Sequence, residues 1–233
     1  MTDRRAARSR RERPGAERVD ALAGLRPQLA AVGLGLGIAH VGEAGLGPAG
    51  PAEASAAATM TPDRRREFLA GRHAARRALR AIGLDCGDIP RDGRLPVFPP
   101  GRAASISHSA GIAVAVAREP TRHIPLGCDL ELKPLPDNAA KLVLRADETE
   151  WLQAAPAEAT LTALFSAKEA AWKALCLSSG TLGDLWARPY GDELLIGPHA
   201  TPADAVRVRT LPVGKGVFSY VVGRARAGAG TAL

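Results

Sequence analysis

From Leu164 to Leu175 the chain reads Leu-Phe-Ser-Ala-Lys-Glu-Ala-Ala-Trp-Lys-Ala-Leu, with no Gly or Pro. Ala, Leu, Lys and Glu lose little side-chain freedom in a helix, so this stretch predicts a strong one. Leu161, Leu164, Phe165, Trp172 and Leu175 recur at helical spacing and define an apolar stripe. Lys168 falls on that stripe, where a charge has to snorkel out or meet a partner. Glu169 stands at the stripe's edge, one turn before Lys173. Taken alone, this is equally the pattern of a core helix with a snorkelling lysine and an ordinary Glu–Lys pair.

A second acidic feature precedes it. In Cys128-Asp129-Leu130-Glu131-Leu132 a strand would turn Asp129 and Glu131 to one side and the apolar residues to the other. Neighbouring carboxylates repel unless a cation lies between them, and an all-oxygen set suits magnesium. An exposed strand face carries such pairs often, so the pattern alone does not specify a site.

The N-terminal part is basic. Thr61-Pro62-Asp63 predicts a helix start, with Thr61 as N-cap and Pro62 at the first helical position, and Gly83 predicts its end. Arg64, Arg72 and Arg76 lie within one broad face of that helix, and Gly71 beside Arg72 allows close backbone approach. A proline-containing loop carries Arg94. Ser105-Ile106-Ser107-His108-Ser109 reads as a strand running into a turn, followed by a buried strand over Ile112–Ala117. Gly37–Val41 reads as a first strand and Gly42–Ala58 as a mobile loop. Asp147 with Glu150 reads as a capping box, and Pro156 as the start of the long helix, which Ser178-Ser179-Gly180 ends. Further strands are expected over Glu193–Ile196, Ala205–Leu211 and Gly216–Ala225.

Composition sets outer bounds. With 233 residues, 46% of them apolar, the chain makes one domain or two small halves. The expected division is a disordered basic tail over 1–20, halves over 21–121 and 122–225, and a frayed end over 226–233. No apolar run is long enough to span a bilayer. The glycines within Leu29–Val41 argue against a secretory leader there, and three scattered cysteines fit a reducing compartment, so a cytoplasmic protein is expected. The net charge of +7 favours an anionic partner without choosing among nucleic acid, a phosphorylated ligand and an acidic protein.

Four of these segments, in this order, resemble one family. Gly127-Cys128-Asp129-Leu130-Glu131 and Phe165-Ser166-Ala167-Lys168-Glu169-Ala170-Ala171-Trp172-Lys173-Ala174 look like the signature pair of the 4′-phosphopantetheinyl transferases. Arg64–Arg72, and Arg94–Pro99 with Ser105–Ser109, resemble its enterobactin synthetase component D-like subgroup, which serves siderophore and other secondary-metabolite synthases. Phe98 stands where that subgroup usually has Trp, Ala104 replaces a common Gly, and the Arg-rich tail is extra.

The resemblance implies an α+β fold, a pseudo-twofold single chain of two similar halves with the active site in the cleft between them. It implies magnesium, with manganese as an alternative, and coenzyme A as co-substrate. The partners implied are apo acyl, peptidyl or aryl carrier proteins, with no membrane, no nucleic acid and a monomeric state. It assigns Asp129, Glu131, Glu169 and the Leu130 carbonyl to the metal, with Asp129 thereby on the coenzyme's pyrophosphate. Glu169 becomes the base for the carrier serine, and Lys173 neutralises phosphate. Lys168 reaches into the cleft, Ser107 and His108 bind pyrophosphate, and Arg64, Arg72 and Arg94 bind the 3′-phosphate and adenine end, with Arg76 a weaker addition. A nucleic-acid binder would leave the three carboxylates unexplained, and the chain is poor in aromatics for stacking. A magnesium phosphohydrolase could use the same three acids. A degenerate member that only binds carrier proteins would not need them intact.

Overall fold

The computed structural model describes residues 15–120, 124–154 and 160–225, and the chain divides into two units after Arg118. Both mix helices and sheet, so the class is α+β. The expected boundary at 121–122 and the expected frayed end lie outside the described residues.

The first unit begins with helix α1 over 15–23 and α2 over Arg26–Ala30. The expectation of a disordered tail to residue 20 is therefore corrected from residue 15 onward. Leu22, Leu29 and Leu34 are fully buried and supply the anchors that an Arg-rich composition hides. Strand β1 (Gly35–His40) follows, then α3 (Pro51–Ala58) and α4 (Pro62–Arg80). The loop expected over 42–58 thus contains a helix. Pro51 is pre-set for its first turn, and Asp88 accepts the Ala52 and Glu53 amides at 2.8 and 3.0 Å, capping it from a distance that no local pattern reveals. Thr61 precedes α4 as expected but makes no side-chain cap bond. The short β2 (Arg91–Asp92) and β3 (Leu95–Pro96) form a hairpin, and β4 (Ala103–Ser109) and β5 (Ile112–Arg118) complete an antiparallel sheet of order β1-β5-β4.

Helix α4 lies almost in backbone contact with this sheet. Its Ala70, Ala74, Ala75 and Ala78 are fully buried, and a Cβ on Gly37 would come within 1.9 Å of the Ala74 carbonyl oxygen.

The second unit runs β6 (Cys128–Glu131), α5 (Ala140–Val143), α6 (Ala146–Ala154), α7 (Leu161–Ala174), β7 (Leu185–Tyr190), β8 (Glu193–Pro198), β9 (Val206–Val213) and β10 (Gly216–Arg224). Its sheet order is β6-β10-β9-β8-β7, antiparallel throughout. Pro156 lies outside the described residues; α7 starts at Leu161, and the Thr160 hydroxyl caps it by accepting the Ala163 amide at 3.1 Å. It ends before the expected Ser178-Ser179-Gly180, because Cys176 takes the left-handed conformation at φ 54. The box that opens α6 uses Glu148 on the Arg145 amide at 3.0 Å, not Glu150. Here too a glycine lets helix meet strand: a Cβ on Gly127 would sit 2.0 Å from the Ala170 oxygen. No helix among the described residues is long and apolar enough to cross a membrane.

Candidate functional site

In the first unit the charged side chains sort into two sets. One set is structural. Arg76 is buried and pairs at 2.5 Å with Glu53 of α3, itself fully buried. Glu53 also accepts the Ile89 amide at 3.0 Å and the Ala49 amide at 2.9 Å. Arg76 is thus committed to holding α3 and the loop after α4, which corrects its expected place beside a ligand.

The other set lines a groove of about 160 Å³ that includes Arg64, Arg72, Arg91, Arg94 and His108, floored by Phe68, Gly71 and Ile106. Arg64 Nη1 lies 2.9 Å from His108 Nε2 and 3.2 Å from Glu67. Arg72 is buried, donates to the Ile89 and Pro90 carbonyls at 3.0 and 3.3 Å, and its guanidinium lies 4.6 Å over the Phe68 ring. Burial pushes the Arg72 pKa down to about 10; Glu53 opposes that shift, and Arg76, Arg91 and Arg64 add to it. Arg72 stays charged at neutral pH. Strand alternation explains the rest: Ile106 and His108 share the α4-facing side, opposite Ala115 and Ala113, so Ser107 turns to the other face and is buried there. Ser107 is not among the groove's lining residues, contrary to expectation. Arg91 was not anticipated. The Asp92-Gly93 pair that makes its hairpin is a readable turn signal.

In the second unit Asp129, Glu169 and Lys173 come together. Asp129 is buried, and Lys173 Nζ donates to its Oδ1 at 2.7 Å and to the Cys128 carbonyl at 3.1 Å. Gly127, two residues before Asp129, brings this strand against the α7 backbone, which puts Asp129 within the reach of a lysine one turn past Glu169. Burial raises the Glu169 pKa, Lys173 works against that, and Asp129 adds to it. Burial disfavours the Lys173 charge, but Asp129, Cys128 and Glu169 together outweigh it and hold its pKa above the usual value. Glu131, half-buried, shares the strand side of Asp129, opposite Val217 of β10, and Leu130 places its side chain in the core opposite Phe218. These acids offer hard oxygen donors, yet among the described residues no three His, Cys, Asp or Glu groups are already gathered as a metal cage. Lys173 supplies the cation that Asp129 faces.

Lys168 corrects the sequence reading. It is fully buried, and its ammonium meets Glu148 at 2.7 Å and the carbonyls of Val143, Leu185 and Leu182 at 2.8, 2.9 and 3.3 Å. Glu148 in turn accepts the Ala187 amide at 2.8 Å. Lys168 ties α5, α6 and β7 to α7, and it has no donor left for a ligand.

Two family models match the chain in succession. The 4'-phosphopantetheinyl transferase N-terminal domain matches residues 52–118, which hold the basic groove. The 4'-phosphopantetheinyl transferase superfamily model matches residues 125–192, which hold Asp129, Glu169 and Lys173. Enterobactin synthase component D of Salmonella typhi is 39% identical over 116 residues, 48% of this chain and 48% of the relative. The 4'-phosphopantetheinyl transferase Npt of Nocardia iowensis is 35% identical over 127 residues, 53% of this chain and 57% of its own. The chain thus spans about half the length of the curated relatives it matches. With both models matched in order over more than half of its residues, the chain belongs to the 4′-phosphopantetheinyl transferase superfamily.

Proposed function

We propose that this chain transfers the 4′-phosphopantetheine arm of coenzyme A to a serine of an apo acyl, peptidyl or aryl carrier protein, giving holo carrier protein and 3′,5′-ADP. The observation that carries the reading is the Asp129–Lys173–Glu169 group, on the strand and helix within the superfamily match. Its donor chemistry fits magnesium, or manganese. The oxygens are hard, and the crowding of Glu169 by Asp129 is a repulsion that a divalent cation relieves. Asp129, Glu131, the Leu130 carbonyl and Glu169 would hold that ion, Asp129 giving up its contact with Lys173 to do so. When bound, the metal would supply neutralisation of the charge that develops on the 5′-phosphate of the leaving 3′,5′-ADP.

The chain's own groups do the rest. Glu169 takes the proton of the serine hydroxyl as the serine oxygen bonds to the phosphorus that carries pantetheine. The bond from that phosphorus to the bridging oxygen breaks, and the oxygen leaves on 3′,5′-ADP. A raised carboxylate pKa suits a base that works near neutral pH. Lys173 sets its ammonium on the phosphates. Arg64, Arg72 and Arg94 hold the 3′-phosphate and adenine end, and His108 the pyrophosphate, where forked guanidinium donors match phosphate oxygens.

The net charge of +7 suits acidic carriers. The Salmonella typhi relative is named for enterobactin synthesis, which supports carriers from siderophore, nonribosomal peptide or polyketide synthases, served by a monomer in the cytoplasm. The test is incubation of the full chain with coenzyme A, magnesium and a panel of apo carrier proteins. A mass gain of one phosphopantetheine arm is expected. Release of inorganic phosphate with no carrier modified would make the chain a phosphohydrolase instead.

A further inference from the structure

The second unit also holds a cavity that the proposed function does not use. Helix α7 packs mainly on β10 and β6, which leaves a hollow of about 690 Å³ over the tip ends of β8 and β9. By cross-strand register Leu194, Val208, Pro212 and Val217 share one face of the sheet and floor that hollow. Trp151 of α6 and Leu164 of α7 wall it. Leu164 and Val208 are buried members of the core, so the floor continues the core outward. Two-residue turns, Gly191-Asp192 and Gly214-Lys215, make the rim, and each opens on a glycine held left-handed, at φ 62 and φ 61. Asp129, Glu169 and Lys173 are not among its lining residues.

The polar groups of the rim sort by what they have left to give. Asp192 and Glu193 are balanced by guanidiniums: Arg209 Nη2 meets them at 2.8 and 3.2 Å, and Arg207 meets Glu193 at 3.3 Å. Lys215 is exposed and, among the described residues, has no carboxylate partner. The Thr160 hydroxyl accepts the Ala163 amide at 3.1 Å, and the buried Thr162 hydroxyl accepts the Leu135 amide at 3.0 Å. Each oxygen is thus spent as an acceptor, and its proton is left to donate. The start of the 14-residue α7, which carries both threonines, adds the positive end of its dipole. The cavity therefore pairs an apolar floor with one uncompensated cation and hydroxyl donors. A cationic head would meet Lys215 as a like charge, and a neutral one would leave that charge unanswered.

We propose that this cavity binds a single-chain carboxylate amphiphile, a fatty acid of about a dozen carbons, with its chain over Val208 and Leu194 and its carboxylate at the rim on Lys215 and the threonine hydroxyls. One head-group charge matches one free cation. The inference does not depend on the transferase reading, because none of the acids assigned to transfer lines the cavity.

The experiment is calorimetric titration of the full chain, below micellar concentrations, with dodecanoate, decanoate and dodecyltrimethylammonium. Dodecanoate is expected to bind one to one. Each methylene that enters the apolar floor is worth about fourfold, so decanoate should bind roughly tenfold more weakly. The trimethylammonium amphiphile, with the same chain, should bind at least about tenfold more weakly than dodecanoate. Leu194→Trp fills the floor and should abolish dodecanoate binding, which also separates this cavity from the cationic groove of the first unit. Lys215→Gln should weaken dodecanoate about threefold and leave the trimethylammonium compound no weaker. Absence of saturable dodecanoate binding overturns the inference, as does equal affinity for the two head groups or wild-type affinity in Leu194→Trp. A thermal melt accompanies each variant. Should Leu194→Trp melt early, Lys215→Gln decides, since it changes only an exposed turn residue: undiminished dodecanoate affinity there overturns the proposal.

Discussion

In the first unit a 19-residue helix, α4, lies on three strands; in the second a 14-residue helix, α7, lies on five. Each helix buries one cation against one glutamate from a shorter helix upstream. Arg76 meets Glu53 of α3, and Lys168 meets Glu148 of α6. Each glutamate then collects backbone amides, from Ile89 and Ala49 in one unit and from Ala187 and Arg145 in the other. The faces left to solvent differ in sign. Helix α4 offers arginines to a groove with His108, and α7 offers Glu169 beside Asp129 and Lys173. Between the two lysines of α7, enclosure and not charge separates scaffold from site. Lys168 is fully buried and saturated, while Lys173, five residues on, keeps 29% of its side chain exposed and sits among the acids.

That contrast breaks first on activity. Asp129→Ala and Glu169→Ala are expected to lower transfer about 10³-fold or more with a native thermal melt, because they remove charge stabilisation and the proton acceptor. Mass spectrometry of the carrier protein measures it, and near-wild-type turnover in either variant contradicts their roles. The scaffold pairs are expected to behave the other way. Lys168→Ala leaves Glu148 buried without its cation, and Glu53→Ala does the same to Arg76, each costing about 3–5 kcal/mol in urea unfolding. If Lys168→Ala unfolded like wild type while transfer vanished, Lys168 would belong to the site and the division drawn between the two lysines would fail.

The sequence already displayed the elements that sit in local pattern. Helix α7 and the β6 strand with its paired acids follow from periodicity, the buried β5 follows from its continuous apolar run, and the grouping of Asp129, Glu169 and Lys173 followed from spacing and resemblance. What was not legible depends on contacts distant in sequence. Lys168 reads as a ligand because its position is unusual, and its partner lies twenty residues earlier in Glu148, which resembles any other acid in Asp147–Glu150. Helix α3 was hidden because its N-terminus is capped by Asp88, 36 residues away from Ala52. Ser107 and His108 are adjacent letters, and only the direction of the strand decides which one faces the groove.

A smaller effect tests whether the helix–strand contact is the same device in both units. Gly37→Ala would drive a Cβ to 1.9 Å from the Ala74 oxygen, and Gly127→Ala to 2.0 Å from the Ala170 oxygen. Backbone cannot yield as a side chain does, so both should cost about 1–3 kcal/mol by denaturant unfolding. Gly71→Ala is the control. Its Cβ would meet only the Ile106 methyl at 3.1 Å, and the gain in helix propensity of about 1 kcal/mol offsets the crowding. A Gly127 variant as tolerant as Gly71 would mean that the second unit keeps its helix farther off.

The finest distinction is electrostatic. Burial works on both units with opposite sign: it lowers a buried base, Arg72, and raises a half-buried acid, Glu169. For Glu169 the neighbours also pull in opposite directions, Lys173 downward and Asp129 upward. Carbon-detected NMR titration of the Glu169 carboxyl in metal-free protein should therefore give a midpoint above 4.5. Asp129→Asn removes the like charge and should move that midpoint down, toward easier ionisation. Lys173→Met removes the opposite charge and should move it up, because the carboxylate then has no cation to favour it. Shifts of opposite sign are the signature of three groups sharing one electrostatic site. Shifts of the same sign, or none, would mean that burial alone sets the acid and that Asp129 and Lys173 form an ion pair no different in kind from the clamps at Glu53 and Glu148.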